Sequence, residues 1–159
     1  MKNIIVACDF SSEDEAIETI EQLKDEIFGI KVGLQYVTST GTEGVKSLLK
    51  FNLPIMYDIK ALDIRNTVVE FTKTLKNLKV SYATVHLLNG EETLKEAVKH
   101  AGNVKLIGIS VLTSFSDETL QKLGFSNNVE KQVERLVKIA SAAGLYGVVC
   151  SPREVKMVK

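Results

Sequence analysis

Short apolar runs alternate with stretches of helical period from one end of the chain to the other. This alternation constrains the fold more than any other feature, because it is the pattern of βα units wound around a parallel sheet. The strand candidates are Asn3 to Cys8, Ile27 to Val32, Pro54 to Ile59, Tyr82 to Leu87, Val104 to Leu112 and Leu145 to Cys150. Between them lie amphipathic stretches such as Glu13 to Asp25, with Ala16, Ile17, Ile20 and Leu23 on one face, and Val129 to Ala143, with Val133, Leu136, Val137 and Ala140 on one face. Both spacings describe surface helices that bury one side. Ser11-Ser12 ahead of Glu13-Asp14-Glu15 supplies an N-cap and an acidic first turn, and Gly102 and Gly144 stand where helices are expected to end. No Pro/Gly/Ser-rich linker, low-complexity tract or repeat interrupts the pattern, so residues 1–159 are expected to belong to one domain.

Polar residues collect where the apolar runs stop. Asp9 follows the first run, Lys31 lies near the end of the second, and Asp58 and Lys60 end the third; His86 ends the fourth, Thr113 and Ser114 the fifth, and Ser151 the sixth. In a (β/α)8 TIM barrel the carboxyl ends of the strands converge on one mouth, where catalytic groups sit. A doubly wound sheet would bring only two or three strand ends to its crevice, and the Rossmann glycine fingerprint is absent after the first run, Cys8-Asp9-Phe10-Ser11. The expected fold is therefore an α/β TIM barrel, represented by about six βα units. The sixth run is followed only by Pro152 to Lys159, the start of a helix, so the last two units are expected to lie outside these 159 residues.

Twenty Lys and Arg balance twenty Asp and Glu, and the lysines are spread along the chain. The field that holds a nucleic acid is missing, and no such partner is expected. Met1-Lys2-Asn3 runs straight into Ile4-Ile5-Val6-Ala7-Cys8, too short for a signal-peptide core, and no apolar run approaches a membrane span. A cytoplasmic protein is expected. Cys8 and Cys150 end apolar runs without metal-ligand or CxxC spacing and read as small buried hydrophobes. His100, late in a helix rich in Lys and Glu, reads as surface.

The segment Tyr57-Asp58-Ile59-Lys60-Ala61-Leu62-Asp63-Ile64-Arg65-Asn66-Thr67 concentrates the charge. In a strand Asp58 and Lys60, two residues apart, project to the same side and can both face the mouth. A lone D-x-K-x-x-D is compatible with a solvated turn, but that reading does not account for Asp9 and Lys31 at the neighbouring strand ends. Together with Ile5 to Phe10, Lys31-Val32-Gly33, Val111-Leu112-Thr113-Ser114 and Gly144 to Pro152, this segment resembles, in order along the whole chain, the signatures of the orotidine 5′-monophosphate decarboxylases. Arg65 stands where that family frequently has Pro or Gly before Asn-Thr.

The resemblance implies a cofactor-free and metal-free carboxy-lyase that converts orotidine 5′-monophosphate to UMP and CO2 in pyrimidine biosynthesis. It implies an alternating array of Lys31, Asp58, Lys60 and Asp63, with Lys60 as proton donor. Asp9 and Lys31 would hold ribose hydroxyls, Ile59, Ala61, Leu62, Ile64, Arg65, Asn66 and Thr67 would line the site, and Thr113 and Ser114 would meet the pyrimidine. It further implies a homodimer in which Asp63 and Thr67 reach into the partner's site. His86 reads as a satisfied barrel-interior histidine or a substrate contact. The family's phosphate grip, a glutamine loop and a Gly-Arg pair after strands seven and eight, is expected to be absent from these residues, which predicts poor turnover by them alone.

The residue types suit that chemistry. Loss of CO2 from C6 of the pyrimidine leaves charge in an sp² orbital that the ring delocalises poorly, so a fixed ammonium must face the carbanion and then donate its proton. Asp58 beside the substrate carboxylate would raise the ground state. A metal-dependent 3-keto-gulonate-phosphate decarboxylase or hexulose-phosphate synthase shares D-x-K-x-x-D, but places a carboxylate for Mg²⁺ at the end of the second strand, where this chain has Lys31. A Schiff-base aldolase would want Lys60 desolvated or beside another cation rather than among carboxylates. A non-catalytic remnant serving as a binding module is the alternative from outside the enzymes.

Overall fold

The computed structural model describes residues 2–126 and 128–159. Six strands, β1 (Ile5–Cys8), β2 (Gly29–Gly33), β3 (Ile55–Ala61), β4 (Tyr82–His86), β5 (Lys105–Ile109) and β6 (Gly147–Val149), form one sheet in the order β1-β2-β3-β4-β5-β6. Every pairing is parallel. Among the described residues, helices α1 (Glu13–Leu23), α2 (Leu34–Ser47), α3 (Arg65–Asn77) and α4 (Glu91–His100) follow β1 to β4 in turn, α5 (Asp117–Lys122) and α6 (Val129–Ala143) both lie between β5 and β6, and α7 (Val155–Val158) follows β6. Sequential order with a helix after each strand is the winding of a (β/α)8 barrel, and the arc is open between β1 and β6.

Local chemistry sets the element ends. Ser12 caps α1 by accepting from the Glu15 N–H, ahead of the acidic turn Glu13, Asp14 and Glu15. Asn128 does the same for α6 through the Lys131 N–H at 3.0 Å, and Gly144 closes that helix at φ 74°, a left-handed conformation in which a side chain would be strained. The fifth strand stops at Ile109 rather than reaching Leu112, because the chain turns there: the Phe115 N–H donates to the Leu112 carbonyl at 2.9 Å. The sixth strand is only Gly147–Val149.

Period-two alternation sorts the strands into two faces. Val6, Cys8, Ile30, Val32, Ile55, Tyr57, Ala83, Val85 and Leu106 pack with Ala16, Ile20, Val68, Leu75, Leu94, Ala97, Leu136 and Ala140 of the helices into one cluster. Each fully buried Leu or Ile there contributes about 1.5–3 kcal/mol. The opposite face carries Ala7, Lys31, Gly33, Met56, Asp58, Tyr82, Thr84 and His86, and the register sets Ala7 beside Lys31 and Gly33 beside Asp58. Polar groups of neighbouring strands are thereby delivered to one place near the carboxyl ends.

Candidate active site

β3 is not a regular strand where it matters. Tyr57 pairs with Ala83 but Ala61 pairs with Val85, so the register shifts between Tyr57 and Ala61, and Lys60 lies at φ 54°. A non-glycine residue in that left-handed region costs on the order of 1–3 kcal/mol and persists only where its surroundings hold it. Simple alternation therefore does not explain how Asp58 and Lys60 meet. The bulge does: Lys60 Nζ lies 3.1 Å from each carboxylate oxygen of Asp58.

From there the charges form a chain. Lys31 Nζ lies 3.4 Å from Asp58 Oδ2 and 3.7 Å from Asp9 Oδ1, giving Asp9–Lys31–Asp58–Lys60 across the ends of β1, β2 and β3. Gly33 leaves room beside it, since a Cβ there would come 3.2 Å from Asp9 Oδ1, so that the exposed carboxylate would have to shift slightly, and 3.6 Å from Lys31 Nζ, an ordinary contact. Asp58 is 8% exposed, whereas the Lys60 side chain keeps 42% of its surface, so the carboxylate is rooted in protein and the ammonium faces the opening. Burial pushes the Asp58 carboxyl upward, but the Thr84 hydroxyl, the Lys60 ammonium and Lys31 together outweigh it and hold it below the usual aspartate range.

Two polar residues absent from the sequence-based site complete the cluster, both belonging to the β4 end. Thr84, fully buried, donates its hydroxyl to Asp58 Oδ1 at 2.8 Å and accepts the Lys60 backbone N–H at 2.9 Å. Asn89 donates to the carbonyls of Ala61 and His86, each at 2.8 Å, and accepts the Asp63 N–H at 3.2 Å. Thr84 carries a readable signal, a hydroxyl at the same strand parity as His86; Asn89, followed by Gly90, carries none beyond turn-forming chemistry.

Asp63 stands apart from the array. Among the described residues it makes no ion pair within the chain; its carboxylate accepts the Ile64 N–H at 2.7 Å, and the residue is exposed. Arg65 opens α3 with its guanidinium on Glu92, 2.6 Å away, so its charge is turned toward α4. Ile64, Asn66 and Thr67 are exposed around it, and Thr113 and Ser114 occupy the exposed turn after β5. His86 Nδ1 accepts the Leu88 N–H at 3.2 Å, which fixes the neutral ring with its proton on Nε2, and burial lowers its basicity. It borders an apolar cavity of about 360 Å³ together with Leu62, Leu88, Phe115 and Leu123. A larger cavity of about 590 Å³, lined by Lys76, Lys79, Tyr82 and Lys105, lies at the opposite, amino ends of the strands.

Other chemistries find little support in the residues. The Cys8 thiol beside Asp9 is pushed up to about 11, first by burial and then by the Asp9 carboxylate against the pull of Lys31, so it is no nucleophile. Among the described residues no three His, Cys, Asp or Glu side chains converge as a metal cage, and the place between Asp9 and Asp58 holds the Lys31 ammonium. His100 pairs with Glu96 on the surface, and no described helix is long and apolar enough to cross a membrane.

Comparison with known proteins follows the same line. The family model for the Orotidine 5'-phosphate decarboxylase / HUMPS family matches residues 2–159. The orotidine 5'-phosphate decarboxylase of Wolbachia pipientis is 39% identical over 161 aligned residues, spanning 100% of this chain and 71% of that relative. The crystal structure of the Lactobacillus acidophilus orotidine 5'-phosphate decarboxylase superposes with a TM-score of 0.91 at 32% identity, over 99% of this chain and 75% of that one. The orotidine 5'-monophosphate decarboxylase of Methanocaldococcus jannaschii, solved with the inhibitor BMP, superposes with a TM-score of 0.85 at 26% identity, over 100% of this chain and 73% of that one.

Proposed function

The chain belongs to the Orotidine 5'-phosphate decarboxylase / HUMPS family, and on that premise we propose that it decarboxylates orotidine 5′-monophosphate to UMP and CO2 at the Asp58–Lys60 cluster. The observation that carries the reading is a buried carboxylate gripping an exposed ammonium at 3.1 Å, with Lys31 on its other side. The substrate's bond between C6 and its carboxyl carbon breaks, CO2 departs, and the electron pair stays at C6. Lys60, held in place before the reaction, faces that charge and transfers an Nζ proton to it, forming the new C6–H bond; solvent then restores the ammonium.

Asp9 and Lys31 are assigned to the ribose hydroxyls, and Ile59, Ala61, Leu62, Ile64, Arg65, Asn66 and Thr67 to the site wall. Thr113 and Ser114 are assigned to the pyrimidine. Asp63 and Thr67 serve the active site of a second copy. That assignment fits an exposed Asp63 with no ion pair in its own chain among the described residues, flanked in sequence by the exposed apolar side chains Leu62 and Ile64. We read residues 1–159 as parts of one barrel domain acting in the cytoplasm, without nucleic acid or membrane as partner.

The assay is turnover of orotidine 5′-monophosphate by the purified full-length protein, followed by ultraviolet loss of the substrate and CO2 release, with and without EDTA. Turnover indifferent to the chelator is expected, because Lys31 fills the position where a metal-binding carboxylate would stand. Decarboxylation of a keto-sugar phosphate that EDTA abolishes and Mg²⁺ restores would instead assign the chain to the metal-dependent branch.

A further inference from the structure

We infer that Thr84 is a positioning residue for the decarboxylation, holding Asp58 and the backbone of Lys60 in register through one hydroxyl. This inference rests on the function proposed above and extends it to a strand to which no reacting group was assigned. A hydroxyl has one proton to give and two lone pairs to receive with. Thr84 gives its proton to Asp58 Oδ1 at 2.8 Å and receives the Lys60 N–H at 2.9 Å, so the two bonds do not compete.

The fold makes both bonds necessary. Because the pairing of β3 with β4 is interrupted between Tyr57 and Ala61, the Lys60 N–H lies in the gap of the ladder, and the Thr84 hydroxyl takes the part a β4 carbonyl would otherwise play. The left-handed backbone at Lys60, φ 54°, is held by that bond and is what returns the ammonium to Asp58. Thr84 is fully buried, so water does not stand in for a missing hydroxyl. The same hydroxyl adds to the interactions that keep Asp58 ionised against its burial. Valine has the same shape and neither bond. A threonine kept only for its fit to a pleated strand would tolerate valine; one kept for its hydroxyl would tolerate serine.

The test compares Thr84→Val and Thr84→Ser in the otherwise unaltered protein by kcat and KM for orotidine 5′-monophosphate, by circular dichroism, and by carbon-13 NMR titration of the Asp58 carboxyl. Thr84→Val is expected to lower kcat by about 10- to 100-fold, the factor that loss of a hydrogen bond to a charged group converts to, with a smaller change in KM. It should also move the Asp58 titration to higher pH, while Thr84→Ser recovers kcat to within a few-fold and returns the titration to its original position. If valine prevents folding, Thr84→Ala replaces it in the same comparison. Valine or alanine variants with wild-type kcat and an unmoved Asp58 titration, or a serine variant as impaired as they are, would overturn the inference. A full-length wild-type protein without decarboxylase activity would count against the proposed function, and the NMR titration would still decide whether Thr84 holds Asp58.

Discussion

Asp58 is the residue on which the other charges depend. It is the most buried charged residue of the cluster, and it touches both lysines and Thr84. A buried carboxylate costs free energy that its partners must offset, and an uncompensated one would take up a proton instead. Because its folded-state pKa is lowered, the sign of the pH dependence is fixed. The stabilisation is fully present above the unfolded-state value, near 3.9 for aspartate, and is lost as pH falls through the folded-state value. The gap in urea midpoint between the wild type and Asp58→Asn should therefore hold steady from pH 7 to about 4 and close as pH falls below the unfolded-state value near 3.9 through the folded-state value, each unit of depression being worth about 1.4 kcal/mol. A gap that closes already above pH 4 would show that Asp58 is not held ionised by its neighbours. Identity and spacing were enough to find Asp9, Lys31, Asp58 and Lys60 as strand-end groups. They did not disclose that Lys60 meets Asp58 through a left-handed residue in a bulge, because backbone irregularity leaves no mark on a D-x-K spacing.

At the scale of elements, β3 supplies the charges and β4 holds them. Thr84 grips β3 from inside the strand, and Asn89, just past its end, fastens the exit of β3 by its three hydrogen bonds to Ala61, His86 and Asp63. Asn89→Ala should lower stability by about 1–3 kcal/mol through the carbonyls left unsatisfied, and should speed amide exchange at Asp63. Thermal unfolding with hydrogen exchange checks both, and an unaltered Asp63 exchange rate would mean that the loop is fixed by other contacts. The alternation of apolar runs and helical periods made the elements themselves legible; α6 occupies Val129 to Ala143, as its periodicity indicated. Strand ends were harder. Val111 and Leu112 extend the apolar run of β5, yet they line the cavity at the barrel mouth rather than continue the ladder. An apolar side chain fits either place, and only the turn closed by Phe115 separates them.

For the whole molecule, parallel order makes one mouth out of distant segments, since Asp9 just past β1 meets Lys31, Asp58 and Thr84 from the next three strands. What sequence could not weigh is how much of the site one chain builds: the array closes within the chain from Asp9 to Lys60, but not to Asp63. If Asp63 serves a second copy, mixing inactive Lys60→Ala and Asp63→Ala proteins should restore part of the activity, because a hybrid dimer pairs intact residues at one of its two sites. Subunit exchange demonstrated by mass spectrometry without any recovery would place Asp63 in its own chain's site. The most direct test of the account is the rate of orotidine 5′-monophosphate decarboxylation by Lys60→Ala in the intact enzyme, read beside its circular-dichroism spectrum. The account predicts a native spectrum and a loss of kcat of at least about 1,000-fold, since one substitution removes both the proton donor and the ammonium opposite the carbanion. A natively folded Lys60→Ala protein that keeps kcat within about ten-fold of the wild type, a difference of only about 1.4 kcal/mol in the barrier, would contradict it.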